Sequence, residues 1–246
     1  MTVSTMNAAS PVDFLLQIAL RSEAQQIIDR EGLQSIGSIA PHCHAQAFTG
    51  AVAKRTVVLI THGADPIYHC DRIGPIAAAT TAAFAVARFS PRLLVNIGTC
   101  GGFRSRGGAI GDLHLPHRLA FHDQRVPIAG FESFARGETD APPAEALRAE
   151  LGALSGLCST GGSLDSTPQD RAILDALEAR CKDMEAAAIA FTARDWGVPL
   201  IALKCVTDLV DHPEPVQDAF LRNLRSATLR LAAATAALLR SNNIPW

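Results

Sequence analysis

Apolar residues recur along the chain in short blocks that switch between strand-like and helix-like spacing. Val12–Leu20 is an apolar run and reads as a first strand. Glu23–Glu31 then carries a helical pattern, with Ser22 as its expected N-cap and Gly32 as its stop. Ala45–Thr49 and Thr56–Thr61 read as strands, the second rich in β-branched residues. Ile76–Phe89 is an Ala-rich helix closed by Pro91. Leu93–Ile97, apolar but for Asn96, has the character of a strand buried at the centre of a sheet. Further on, Ile110–Phe121 predicts one longer strand, Ala129–Pro143 a loop, Ala144–Leu151 a short helix and Leu154–Ser159 a strand. Pro168–Arg180 and Met184–Trp196 predict helices, Pro199–Val206 a strand, and Ala219–Leu239 a long closing helix. This alternation predicts an α/β single domain, with one central mixed, twisted β-sheet flanked by α-helices. No linker or repeat interrupts it. Residues 1–11 are expected to form a flexible N-terminal segment and 12–246 the domain.

Composition narrows the classes. The chain has 246 residues, 48% hydrophobic and 19% charged, which suits one large core and excludes extended disorder. A formal net charge of -2 offers no basic excess for a phosphate backbone, so no nucleic-acid partner is expected. The longest apolar runs, near Phe14–Leu20 and Leu231–Leu239, fall short of the roughly 18 residues a membrane span needs. No basic n-region or cleavage pattern opens the chain, so no signal peptide is expected, and with the short apolar runs no membrane partner. Cys43, Cys70, Cys100, Cys158, Cys181 and Cys205 are scattered without a C-x-x-C pair and are expected to be free thiols in a reducing cytoplasm. His42-Cys43-His44 and His69-Cys70-Asp71 lack zinc-site spacing; neither a metal nor an organic cofactor is expected.

Candidate chemistry lies in segments that follow predicted strands, where α/β folds collect ligands. Asn96-Ile97-Gly98-Thr99-Cys100-Gly101-Gly102-Phe103 brings glycines directly after a buried strand, so backbone N–H groups can approach a ligand. It is neither a dinucleotide fingerprint nor a P-loop, and its glycines alone are as well explained by a tight turn. Lys182-Asp183-Met184-Glu185-Ala186-Ala187-Ala188 sets Glu185 at the start of a helix, where the dipole alone would favour it. Lys204-Cys205-Val206-Thr207-Asp208-Leu209-Val210-Asp211 ends a strand in Thr-Asp, where Asp208 could simply cap the next segment.

Together these segments resemble the methylthioadenosine/S-adenosylhomocysteine nucleosidases of the nucleoside phosphorylase superfamily, and the plant-type methylthioadenosine nucleosidases most of all. The likeness extends through Phe121-His122-Asp123-Gln124-Arg125-Val126-Pro127-Ile128 and Ser159-Thr160-Gly161-Gly162-Ser163-Leu164-Asp165, and early in the chain through Ile18-Ala19-Leu20-Arg21-Ser22-Glu23-Ala24. The resemblance implies release of adenine from a 5′-thio-substituted adenosine. That chemistry needs an acid to protonate the departing base and a carboxylate to activate water against an oxocarbenium-like ribose. By resemblance Asp208 is the acid at N7, oriented by Thr207, and Glu23 activates the water from the opposite face. Glu185 would bind the ribose hydroxyls and Met184 would pack against the sugar. Thr99, Cys100 and Gly101 would line the base and water region. Leu164 would cover the purine, the Asp165 backbone would meet the adenine edge, and Phe131 would line the 5′-thio pocket across a homodimer interface.

The phosphorylases of this superfamily carry an Arg three residues before the Ser/Thr of the glycine segment, where this chain has Asn96. Losing that guanidinium removes bidentate phosphate recognition and favours water as nucleophile. Gly162 replaces the family's usual Asp, and Pro75 interrupts its Gly-rich helix start at Gly74. The alternatives left open are a phosphorylase, a hydrolase of another nucleoside such as futalosine, and a catalytically silent nucleoside-binding relative.

Overall fold

A computed structural model of the protein describes residues 11–246; apart from Pro11, the N-terminal segment expected to be flexible lies outside the described residues. In chain order the elements are β1 (Phe14–Ile18), α1 (Arg21–Glu31), β2 (Gln34–Ser38), β3 (Gln46–Val52), β4 (Arg55–Thr61), α2 (Pro75–Phe89), β5 (Leu93–Gly102), β6 (Leu113–His114), β7 (Arg118–Phe121), α3 (Glu132–Arg136), β8 (Thr139–Asp140), α4 (Glu145–Leu151), β9 (Leu157–Thr160), α5 (Pro168–Ala176), β10 (Cys181–Asp183), α6 (Ala186–Asp195), β11 (Leu200–Leu209) and α7 (Val216–Arg240). A short 3-10 turn at Arg104–Arg106 follows β5. The strands form one mixed sheet in the order β2-β3-β4-β1-β5-β10-β9-β7-β8, with β11 on the other edge of β5 and β6 beyond it. The expected α/β single domain is the observed one.

Both faces of the central strands are buried, which is why Phe14–Ile18 and Leu93–Ile97 are apolar but for Gln17 and Asn96. One face packs α2 and α6 through small residues, among them Ala78, Ala82, Ala85, Ala186, Ala187 and Ala190, which let the two helices approach closely. The other face packs α1 and α7 through Ile27, Ile28, Leu231, Leu238 and Leu239. No described helix is long and apolar enough to cross a membrane.

The sheet is split along β5. Its first residues pair in parallel with β1, from Phe14↔Leu93 to Gln17↔Asn96, and its last two pair antiparallel with Lys182 and Cys181 of β10. The opposite edge pairs in parallel with β11 along its length. Between β1 and β10, residues 97–100 are therefore left without a strand neighbour on that edge. The sheet opens there, at the carboxyl ends of parallel strands.

Several boundaries differ from the sequence reading. The glycine segment is not a loop but the continuation of β5 to Gly102. Ser22 does not cap α1, which starts at Arg21 with Leu20 at the cap position; Asp71 Oδ2 instead accepts the Arg21 N–H at 2.9 Å from a distant loop. Ser90, in the left-handed region at φ 44°, ends α2 ahead of Pro91. The single strand expected over Ile110–Phe121 is two short strands on either side of Pro116, one paired to β11 and the other to β9. A proline cannot donate to either ladder. The expected loop over 129–143 contains α3 and β8. β2 and β10 were not anticipated. The first is an exposed edge strand with no apolar pattern, and the second is a three-residue strand between the two predicted helices, the first of which ends at Ala176 rather than Arg180.

Candidate active site

The split in the sheet holds a cavity of about 180 Å³, walled by the ends of β1, β5, β10 and β11 and closed by side chains of surrounding segments. Of the residues singled out from the sequence, Glu23, Thr99, Cys100, Gly101, Leu164, Met184, Glu185, Thr207 and Asp208 line it. Asp165 and Phe131 do not. The Asp165 side chain is exposed beside the lining Leu164, and Phe131 is 54% exposed on a separate loop.

Glu23 enters from the first turn of α1, immediately after β1 ends. Its Oε1 accepts the Thr99 backbone N–H at 2.9 Å and the Thr99 hydroxyl at 2.7 Å. A Cβ on Gly98 would stand 3.5 Å from Glu23 Oε2 and 3.6 Å from Lys204 Nζ, so these two groups face one another over the glycine. Burial pushes the Glu23 carboxyl above its usual range, while the Thr99 bonds and the Lys204 charge favour its ionised form.

Asp208 owes its position to a bulge. Val206 pairs with Cys100 and Asp208 with Gly101, so Thr207 is the extra residue in β11. The bulge turns the Asp208 carboxylate over Gly101, where a Cβ would meet its Oδ2 at 2.7 Å and Val210 Cγ2 at 2.8 Å. Only glycine leaves that space. The Thr207 hydroxyl donates to Asp208 Oδ1 at 2.9 Å. Asp208 is 3% exposed, and burial raises its carboxyl above the ordinary value against weaker opposing effects of Thr207 and Lys182.

Glu185 precedes α6 and accepts the Gly74 N–H at 2.8 Å through Oε1. Burial, with the Asp183 charge, pushes it up to about 7. Gly74 has φ 88°, and Pro75 is the first residue of α2, where a missing N–H costs nothing. Pro75 thus begins the helix and Gly74 fixes a candidate ribose-binding carboxylate. The preceding loop is pinned from below. Gln17 Nε2 donates to His62 Nε2 at 3.0 Å, so His62 carries its proton on Nδ1 and donates to Arg72 O at 2.9 Å. Burial pushes His62 down to about 4, in keeping with that neutral form.

The sequence reading missed the ionic floor of the site. Lys204 Nζ meets Asp183 Oδ2 at 2.7 Å, with both side chains at most 1% exposed. Asp183 also accepts the Thr160 hydroxyl at 2.5 Å and the Ala186 N–H at 2.8 Å, and Thr160 Oγ1 in turn accepts the Ala187 N–H at 2.8 Å. The start of α6 is capped by this pair of side chains. Burial works to raise Asp183, but Lys204 and these donors hold it below the usual carboxylate range. The signal was a lone Lys inside the apolar run Pro199–Val206, which demands a buried partner. Lys182 donates to Ser163 O at 2.7 Å and Leu164 O at 2.8 Å, and Asp123 Oδ2 accepts the Gly162 N–H at 2.5 Å. These contacts anchor the loop in place of the carboxylate that Gly162 lacks. Ile97 and Val210, from the segments already singled out, add apolar lining, as do Ile73 and Phe220, which no motif marked.

Comparison with known proteins identifies the family. The family described as Phosphorylase superfamily matches residues 14–240. The 5′-methylthioadenosine nucleosidase of Arabidopsis thaliana is 34% identical over 219 residues, covering 87% of this chain and 81% of that protein. A 5′-methylthioadenosine/S-adenosylhomocysteine nucleosidase of the same plant is 32% identical over 216 residues, covering 87% and 85%. The apo structure of Arabidopsis 5′-methylthioadenosine nucleosidase superposes with a TM-score of 0.91 at 31% identity, over 95% of this chain and 98% of that one. Futalosine hydrolase of Helicobacter pylori, at 17% identity and a TM-score of 0.77, shares the fold. The chain therefore belongs to the phosphorylase superfamily, within its methylthioadenosine/S-adenosylhomocysteine nucleosidase family.

Proposed function

We propose that the protein hydrolyses the N-glycosidic bond of 5′-methylthioadenosine, with S-adenosylhomocysteine as a parallel substrate, releasing adenine and the thioribose. The observation that carries this reading is a pair of buried carboxylates held in one cavity under different influences. Asp208 receives one neutral hydrogen bond, and burial raises its carboxyl toward the protonated form that an acid at the adenine N7 needs. Glu23 receives two hydrogen bonds from Thr99 and faces Lys204, which suits a base acting on water. Their anchor points on β5, Gly98 and Gly101, lie ~10 Å apart along the strand, room for a sugar and a water between them. A water resting over Gly98 would lie within reach of Glu23 Oε2 and Lys204 Nζ. Glu185 would then accept from the ribose hydroxyls.

Water is favoured over phosphate by what the cavity lacks in free cations. Lys182 is the basic residue on its wall, and two backbone carbonyls already hold its ammonium. Asn96 is not on the wall; its amide donates to Gln17 O at 3.3 Å and ties β5 to β1. Purified protein mixed with methylthioadenosine is expected to give adenine and free methylthioribose at the same rate with or without phosphate, read by chromatography. A phosphate-dependent rate with a sugar 1-phosphate product would overturn the hydrolase reading.

We further read the active form as a homodimer. Ile67, Tyr68 and Ile76 on one loop and helix start, and Ile128, Phe131 and Phe134 on another segment, are each at least 54% exposed, far more apolar surface than a monomer gains from. Phe131, outside the cavity of its own chain, would serve the site of a second copy. Light scattering is expected to give twice the chain mass, and a monomer mass at working concentration would sink this assignment. Cys100, Cys158, Cys181 and Cys205 are buried free thiols, the usual state in a reducing cytoplasm, where we place the protein.

A further inference from the structure

A second cavity, lined by Arg106, Gly108, His114, Leu154, Ser155 and Arg180, shares no lining residue with the first. It lies on the far side of β11, where His114 of β6 pairs in register with Lys204. His114 is 2% exposed, and neither of its ring nitrogens has a hydrogen-bond partner. A neutral imidazole carries one donor and one acceptor, so a fully apolar filling would leave both desolvated and unsatisfied.

Two guanidinium groups are built into the same wall. Arg180 is exposed at the mouth, and its stem crosses Gly156, where a Cβ would meet Arg180 Cγ at 2.2 Å. Its Nη1 donates to Arg106 O at 2.5 Å. Arg106 is held by Ala179 O at 2.8 Å and Asp175 Oδ1 at 2.5 Å, over the Phe103 ring at 4.5 Å. Asp175 balances Arg106, whereas Arg180 forms no ion pair among the described residues. Burial and the Arg180 charge push His114 down to about 4, with Asp112 opposing. The wall thus carries uncompensated positive charge beside a ring with a donor to spare.

We propose that this cavity binds a small oxyanion of the phosphate class, held at the mouth by the fixed guanidinium groups of Arg180 and Arg106 and met at the floor by a His114 N–H. Paired guanidinium donors suit the oxygens of such an anion, and a pre-placed fork loses little freedom on binding. The ligand would sit apart from the catalytic cavity and is not the nucleophile of the reaction.

The test titrates the full chain with inorganic phosphate, by calorimetry and by NMR of the histidine ring nitrogens, with and without adenine. Saturable one-to-one binding that moves the His114 signal, assigned by its loss in His114→Leu, is the expected result. Arg180→Met is expected to weaken that binding by about tenfold or more, the scale of one lost charge-assisted hydrogen bond. Arg180 is exposed, so this variant carries the test even if His114→Leu does not fold. No saturation, an affinity unchanged in Arg180→Met, or binding abolished by adenine would each overturn the proposal; the last would put the ion in the first cavity.

Discussion

Asp208→Asn is expected to slow adenine release by roughly a hundred- to ten-thousand-fold at neutral pH, with a much smaller change in KM, the range typical of a lost general acid. The side chains are near-isosteric, so the space over Gly101 and the contact with Thr207 persist. What disappears is the transferable proton. The pH profile is the sharper readout. Burial raises the Asp208 carboxyl, so its acid form survives to higher pH than an ordinary aspartic acid, and activity falls as pH rises through that value. On the acid side, activity falls as Glu23 takes up a proton. Asp208→Asn should therefore flatten the alkaline limb and leave the acid limb. The two limbs belong to interacting groups, and each apparent pKa is a property of the set. A variant that keeps its rate within a few-fold, or keeps both limbs, would remove Asp208 from the role of acid.

Lys204→Met is expected to destabilise the fold by about 3–5 kcal/mol at neutral pH, because it leaves Asp183 as an unpaired charge in the core. The Lys204–Asp183 pair is at most 1% exposed, so solvent gives little relief. The signs can be worked out for each partner. Asp183 lies below its unfolded value; its contribution is present above about pH 4 and is lost as pH falls through the lower folded value. Lys204 is raised despite burial, chiefly by Asp183; its contribution is present below about pH 10 and is lost as pH rises through the higher folded value. The native pair is thus stabilising across the neutral range. In the methionine variant burial dominates at Asp183, so the folded state binds the proton more tightly than the unfolded one. Part of the loss should then be recovered on acidification. Urea unfolding at a series of pH values measures both effects. A loss below ~1 kcal/mol, or no recovery toward acid, would mean that Asp183 is satisfied by Thr160 and Ala186 alone.

The two variants separate chemistry from support. Asp208 lines the cavity, whereas Lys204, beside Gly98, is not among the lining residues and holds Asp183, which caps the start of α6. A protein that tolerates loss of the first but not the second would have its carboxylates assigned to the wrong roles.

The sequence by itself determined the class of the fold and marked the candidate residues for the chemistry. Largely apolar strands such as Leu93–Ile97 and the Ala-rich helices are local patterns that report burial directly, and Glu23, Thr99, Glu185 and Asp208 stand in short runs readable without a structure. Only the tertiary structure decided how they meet. The bulge at Thr207, the pairing of β10 with the end of β5, and the role of Gly101 as space for a carboxylate depend on register between segments far apart in the chain. So do the capping of α1 by Asp71 and the anchoring of the 161–165 loop by Lys182 and Asp123. The ionic floor was half legible, as a lysine in an apolar strand, but its partner could not be named. A buried charge states in the sequence that it must be neutralised, and only the packing of one strand beside another says by which residue.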